Sequence, residues 1–255
     1  MKALAITDSG NLHGAFEFYK ACKRADIQPI IWLEAYIAEK GMEYRGHDDH
    51  TFSIILLAKN LAGYKNLIQL VTNSYLHGLH DKPRIDFELL KKYSHDLIAL
   101  SWDVYGEIPQ HITTGQDDEF LLKRVSWYQE VFWKEDFYLE IQEHADRPNQ
   151  LNINQRLIEL GKTSWAKVLW SLDIHYTSME FAEAQDLLSC LGSGKRLDDP
   201  DRRTLTEGNY SLRPEDEMAE LFSYVPEALE TTQEILGKID LQIPLLHLTE
   251  QGRSS

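Results

Sequence analysis

Apolar positions along the chain come in short runs, each followed by a stretch of helical period. The runs near Ala3 to Thr7, Pro29 to Ile37, Ser53 to Ala58, Leu97 to Ser101, Phe137 to Gln142 and Lys167 to Ser171 read as strands. Between them, spacings of three and four predict helices near Gly14 to Ala25, Leu61 to Tyr75, Asp117 to Trp133, Asn154 to Lys162 and Phe181 to Leu191. Strand and helix thus alternate, the sign of an α/β protein with a parallel sheet or barrel. Ile54 to Ala58 and Leu97 to Leu100 are apolar at every position. Strands covered on both faces need that pattern, and a barrel covers both.

The pattern changes after Gly194. A polar loop runs to Arg203, and helices are expected from Pro214, placed where a first turn tolerates proline, and from near Pro226. The reading is a barrel over residues 1–194, a helical appendage over 195–244 and a tail over 245–255. Gln242 to Leu248 is strand-like and carries His247 among apolar residues. Neither a solenoid repeat nor a low-complexity linker interrupts the chain. Asp117, Asp118 and Glu119 read as a helix start, where carboxylates meet the positive end of the helix dipole.

Composition narrows the function. A formal net charge of −15 argues against stand-alone binding of duplex nucleic acid through a broad basic surface. No apolar run reaches the roughly 18 to 20 residues that span a bilayer, and no leader opens the chain, so a cytoplasmic protein without membrane contact is expected. Cys22 and Cys190 lie in amphipathic segments without a C-x-x-C partner and read as buried free thiols.

Candidate chemistry begins at Thr7-Asp8-Ser9-Gly10, where the first strand hands over to a helix and presents Ser9 at the carboxyl edge of the sheet. The words Lys2 to Asp8 and Gly10-Asn11-Leu12-His13-Gly14-Ala15-Phe16-Glu17-Phe18-Tyr19 closely resemble the PHP (polymerase and histidinol phosphatase) domain of bacterial replicative polymerase alpha subunits. The likeness continues through Leu56 to Asn60, Lys82 to Asp86, Gly106 to Gln110, Phe137 to Gln142 and Asp173-Ile174-His175-Tyr176, and reaches about Ile243. It implies a distorted seven-stranded (β/α) barrel with a cluster of His, Asp and Glu at the strands' carboxyl ends. In active members that cluster holds zinc, manganese or iron and hydrolyses phosphoesters. In many polymerases the domain is a degenerate structural module beside the polymerase core, and in some it docks the proofreading exonuclease subunit.

The departures from the family fall at the ligand positions. The family's opening His-x-His strand has no counterpart before Met1. Its T-D-H-G reads with Ser9 in place of the histidine, Ser53 stands where a histidine is common, and Asp103 replaces the Cys or His of S-G-C-L. Glu34, Asp173 and His175 match surviving ligand positions. The tail is expected to replace the lost first strand and to point His247 at the old site. On this reading no cofactor is required, and Glu34, Asp173, His175 and His247 hold at most one weakly bound zinc or manganese ion.

The same rims carry unusual bulk. Trp32 and Trp102 stand where glycines are usual, Trp170 and Leu172 replace small or polar residues, and His80 and Asp81 stand where aromatics are common. Two readings follow. In one, bulky side chains plug an emptied metal cavity, and the chain is a degenerate PHP fragment with a structural or docking role. In the other, an engineered barrel enzyme uses a rebuilt Trp-lined pocket for metal-independent hydrolysis or proton abstraction. Ser9 would then be nucleophile or donor and His80, His175, Asp103 or Asp81 the base. His13 reads as a capping or packing residue, His144 matches a family word, and His47, Asp48, Asp49 and His50 read as a solvated turn.

Overall fold

The computed structural model describes residues 2–144, 147, 149–202 and 204–244. Its organising element is one curled sheet of β1 (Ala3–Ser9), β2 (Gln28–Ala38), β3 (Thr51–Ala58), β4 (Arg84–Ile85), β5 (Leu97–Leu100), β6 (Phe137–Gln142) and β7 (Val168–Ser171), in the order β1-β2-β3-β5-β6-β7. β1 pairs with β2 in parallel as far as Ser9 and Glu34, and β4 takes over the same edge of β2 at Tyr36 and Ile37. β5, β6 and β7 are parallel neighbours.

The helices are α1 (Ala15–Arg24), α2 (Leu61–Leu76), α3 (Phe87–Lys92), α4 (Glu107–Thr113), α5 (Asp118–Val131), α6 (Gln150–Ser164), α7 (Ala182–Ser193), α8 (Glu215–Leu221) and α9 (Glu227–Lys238). Their boundaries have local causes. Side chains of Asn60, Asp86 and Asp117 accept from the free N–H groups of the first turns of α2, α3 and α5. Gly194, at a φ of 68°, closes α7 in the left-handed conformation. Cys22 and Cys190 are buried free thiols.

Three expectations need correction. The sheet is not wholly parallel, because β3 runs antiparallel to both β2 and β5. No helix lies between β2 and β3, and an antiparallel neighbour can be reached by a loop alone. Six strands were expected, yet β4, α3 and α4 add short elements of two, six and seven residues, too brief to show a period. The loop 39–50 is also more than a solvated turn. Its Asp49 forms a 2.6 Å ion pair with Arg84, both side chains buried, while Arg84 also donates to Tyr44 O at 2.7 Å.

The two faces of the sheet hold separate cores. Outward residues such as Ile31, Leu33, Ile54, Leu56, Ala99, Leu139 and Val168 pack against the surrounding helices. Inward residues alternate with them, as the two-residue period of a strand requires. Ile30, Ile55, Leu57, Ile98, Leu100, Tyr138 and Leu169 form the inner core together with Ile235 and Ile239, contributed by α9 and the residue after it. Helix α9 is therefore a plug at the amino-terminal end of the barrel. Gln28 Nε2 donates to Leu236 O and Ile239 O, and Asp240 N donates to Lys59 O. Met218, Phe222, Val225 and Ala228 join the outer core, so the segment 195–244 serves both layers. Ile243 N reaches the Tyr19 hydroxyl at 3.1 Å. Residues 245–255, with His247 and the proposed replacement strand, lie outside the described residues. No helix among the described residues is long and apolar enough to cross a membrane.

Candidate functional site

Following the inward positions towards the end of the barrel where β1, β2, β6 and β7 have their carboxyl ends and the antiparallel β3 has its amino end, the side chains turn from apolar to polar. Ala5 gives way to Ser9, Trp32 to Glu34, Ile55 to Ser53, Tyr138 to Glu140 and Leu169 to Ser171. These substitutions make a polar rim out of the same faces that form the inner core.

One cluster belongs to the strands β1, β2 and β3. Ser9 Oγ donates to Glu34 Oε2 at 2.6 Å, and Ser53 Oγ donates to Glu34 Oε1 at 3.1 Å, so a serine holds each carboxylate oxygen. Tyr36 stands beside them, and burial, reinforced by the charge of Glu34, pushes its phenol up to about 12. The turn after Ser9 needs glycine. Gly10 has a φ of +70°, its N–H donates to Glu34 O at 2.8 Å, and a Cβ there would stand 2.7 Å from the Pro83 ring. Asp8 points the other way and accepts from Gly14 N at 2.7 Å, securing the approach to α1. His13 is exposed, with its N–H on Asn11 Oδ1, and α1 begins two residues later without a side-chain cap.

A second cluster forms where the chain leaves β5 and β7. Asp103, buried at 3% exposure, follows Trp102, which is held at a φ of 60°. The Arg147 guanidinium lies between two carboxylates: Nη1 pairs with Asp103 Oδ2, and Nη2 is 3.5 Å from Asp173 Oδ2. His175 Nε2 is 3.0 Å from the other Asp173 oxygen. The His175 ring meets the Tyr210 ring edge-on at 5.6 Å, and Tyr210 stacks on His144 at 5.1 Å.

A third group lies deeper. Gln142 Nε2 donates to Glu140 Oε1 at 3.2 Å, and the Ser171 hydroxyl donates to the same oxygen. Gln142 Oε1 accepts from His144 Nε2 at 2.7 Å. Glu140 is 1% exposed, and burial raises its carboxyl to about 7 against the opposing pull of the Ser171 and Gln142 hydrogen bonds. Asp103 Oδ1 and Glu140 Oε2 are buried without a hydrogen-bond partner among the described residues.

The residues singled out from sequence therefore divide. Ser9, Glu34 and Ser53 come together, as do Asp103, Asp173 and His175. No hydrogen bond among the described residues joins Ser9 to His80, His175 or Asp103; its partner is Glu34. His80 and Asp81 are exposed on the loop before β4. Trp32 and Trp102 face inward and pack on the apolar layer beneath the rim. Trp170 and Leu172, expected to line the site, do not: both pack against the outer core, and Trp170 stacks on Phe222 at 5.5 Å. The strand period is the cause, since Leu169 and Ser171 take the inward positions of β7 and Trp170 must face out.

Arg147, Glu140 and Tyr210 escaped the sequence reading. Glu140 and Gln142 carry a signal, two polar residues at alternate positions of an otherwise apolar strand. Arg147 and Tyr210 carry none, being single residues in loops far from the positions they meet.

The donors present do not fit a multinuclear metal cluster. A guanidinium is already paired with Asp103 and Asp173, and serine hydroxyls occupy both oxygens of Glu34. Among the described residues, no group of three or more His, Cys, Asp or Glu side chains is placed to hold an ion.

Fold and rim together define a distorted (β/α) barrel with carboxylates, serines and a histidine at the carboxyl ends of its strands. The PHP domain family matches residues 1–144, and the chain belongs to that family. Relatives include the DNA polymerase III alpha subunits of Borreliella burgdorferi, 39% identical over 243 residues, and Campylobacter jejuni, 36% identical over 252. The same subunit of Thermus aquaticus is 36% identical over 250 residues. These matches cover 94%, 95% and 95% of this chain but 21%, 21% and 20% of the relatives, so the chain spans about a fifth of their length. A solved structure from Bifidobacterium adolescentis superposes with a TM-score of 0.43 at 10% identity over 94% of this chain and 87% of that one, too loosely to argue from.

Proposed function

We propose that this chain is the PHP module of a DNA polymerase III alpha type of protein, a structural and docking element with phosphoesterase activity weak or absent. The observation that carries the reading is Arg147, a permanent cation seated between two carboxylates at the rim where the family's chemistry resides. Its native partners on this reading are the polymerase core and the proofreading exonuclease subunit. Helix α7 supports docking on the core, since Leu187, Leu188 and Leu191 stand 49%, 59% and 76% exposed on adjoining turns. The arrangement gives no support to an engineered Ser/His/Asp enzyme, because Ser9 and His175 belong to different clusters and Trp170 faces away.

The test has two arms. Incubated with bis(p-nitrophenyl) phosphate and Mn²⁺ or Zn²⁺, the purified chain should give no turnover above the metal blank. Mixed with a separately expressed polymerase core, it should bind, and L188D/L191D should weaken binding roughly tenfold or more. Metal-stimulated turnover that disappears in D173N would overturn the reading, as would a core that fails to bind.

A further inference from the structure

The polar rim contains a charge problem and its solution. Asp103 and Asp173 converge on one point from the ends of two different strands, and Asp103 is buried at 3% exposure. Two carboxylates brought together in a low-dielectric setting repel one another, and one must be protonated or a cation must sit between them. Here the cation is covalently attached to the chain. Arg147 spans the two acids with one terminal nitrogen on each, its side chain 14% exposed and its guanidinium 5.9 Å from the Tyr105 ring centroid. His175 holds Asp173 from behind through the opposite oxygen, as a second layer of residues holds a metal ligand. Asp103 also keeps an oxygen, Oδ1, that is buried and has no hydrogen-bond partner among the described residues.

We infer that Arg147 is a tethered counter-ion in place of a metal, and that removing its charge exposes a latent site for one divalent cation between Asp103 and Asp173. The inference rests on the proposed loss of metal chemistry and adds its physical agent. The donors are two carboxylates, with His175 orienting one of them, a hard-oxygen set that suits Mn²⁺ better than Zn²⁺. Exclusion follows from occupancy and charge together. A second cation entering beside the guanidinium meets like-charge repulsion and finds three of the four carboxylate oxygens, Asp103 Oδ2 and both of Asp173, already paired with Arg147 or His175. Because the guanidinium does not deprotonate in a protein, exclusion persists at every accessible pH.

The experiment compares wild type, R147A, R147K and R147A/D103N/D173N by thermal melting and by calorimetric titration, with MnCl₂ as the probe and ZnCl₂ as comparison. Wild type and R147K should show no Mn²⁺-dependent shift. R147A should melt lower without metal, since the buried Asp103 and the half-buried Asp173 lose their shared partner, and should regain roughly 5 °C or more at Mn²⁺ near 100 times Kd. The triple variant should be folded and indifferent to Mn²⁺. Metal rescue remains readable if R147A is only partly folded. An R147A protein that Mn²⁺ does not stabilise overturns the inference, as does one rescued equally after loss of both aspartates. Either result leaves the docking proposal standing if wild type lacks turnover, whereas stoichiometric Mn²⁺ on wild type with phosphodiester turnover removes both.

Discussion

The two ends of the barrel are built on the same strands and filled by opposite means. At the amino-terminal end the inward side chains are Ile30, Leu57, Ile98 and Leu169, and α9 completes the layer with Ile235 and Ile239. Two to four residues further along, at the opposite end of the barrel, the inward side chains are Ser9, Glu34, Ser53, Glu140 and Ser171, hydrogen-bonded among themselves except at Glu140 Oε2, while Asp103 and Asp173 share the cation of Arg147. The apolar end gains stability from area removed from water. The polar end gains little net, because each desolvated carboxylate offsets the bonds made to it. The barrel stands on its plugged end, and its other end is held in shape at some cost.

The largest effect that would break this contrast is at the plug. Ile235→Ala should cost about 2–5 kcal/mol in urea denaturation, and Ile235→Asp should abolish cooperative folding. An aspartate variant within about 1 kcal/mol of wild type would mean that α9 does not support the barrel.

Next comes the buried acid of the polar end. The carboxyl of Glu140 is raised to about 7 from 4.5, so the native state binds its proton more tightly than the unfolded chain does. That contribution to stability is complete below about pH 4.5 and is lost as pH rises through about 7. Glu140→Gln cannot lose it. The variant's stability relative to wild type should therefore improve by about 1–3 kcal/mol between pH 4.5 and pH 8, measured by denaturant melts at both values. A difference that is flat or opposite in sign would show that Glu140 is charged without penalty.

Smaller still is Ser9→Ala, which takes one of two donors from Glu34 and should cost about 0.5–1.5 kcal/mol. At the bottom of the scale is the ion pair of Lys167 with Glu234, whose side chains are 55% and 32% exposed. Lys167→Ala should change stability by less than about 1 kcal/mol, with the difference shrinking in 0.5 M salt. A loss above about 2 kcal/mol would place an electrostatic anchor at the end assigned to apolar packing.

What could be read from sequence follows the same divide. Phe137 to Gln142 matches β6 residue for residue, α2 starts at Leu61 where the helical period places it, and α5 starts at the acidic cluster that begins with Asp117, because periodicity and helix-start signals are local. The antiparallel setting of β3 was hidden, since direction in a sheet is settled by which strand lies alongside, not by the strand's own residues. At the site, Glu34, Asp173 and His175 were legible through a family word. Their actual partners were not: the Ser9 bond to Glu34 depends on β1 and β2 lying in register, and Arg147 reaches Asp103 from a loop more than 40 residues later. Trp170 was misplaced for want of knowing which face of β7 is inward.

The plug has a consequence for the order of events during synthesis. About 200 residues of chain separate Ile30 from Ile235, which covers it. While the chain is being made, β1 to β7 emerge well before α9, and the inner apolar layer remains uncovered throughout that interval. Vectorial folding can prepare the strands but cannot close them, so the final step is a long-range docking with slow, contact-order-limited kinetics. A nascent chain arrested before residue 227 would present that layer to chaperones.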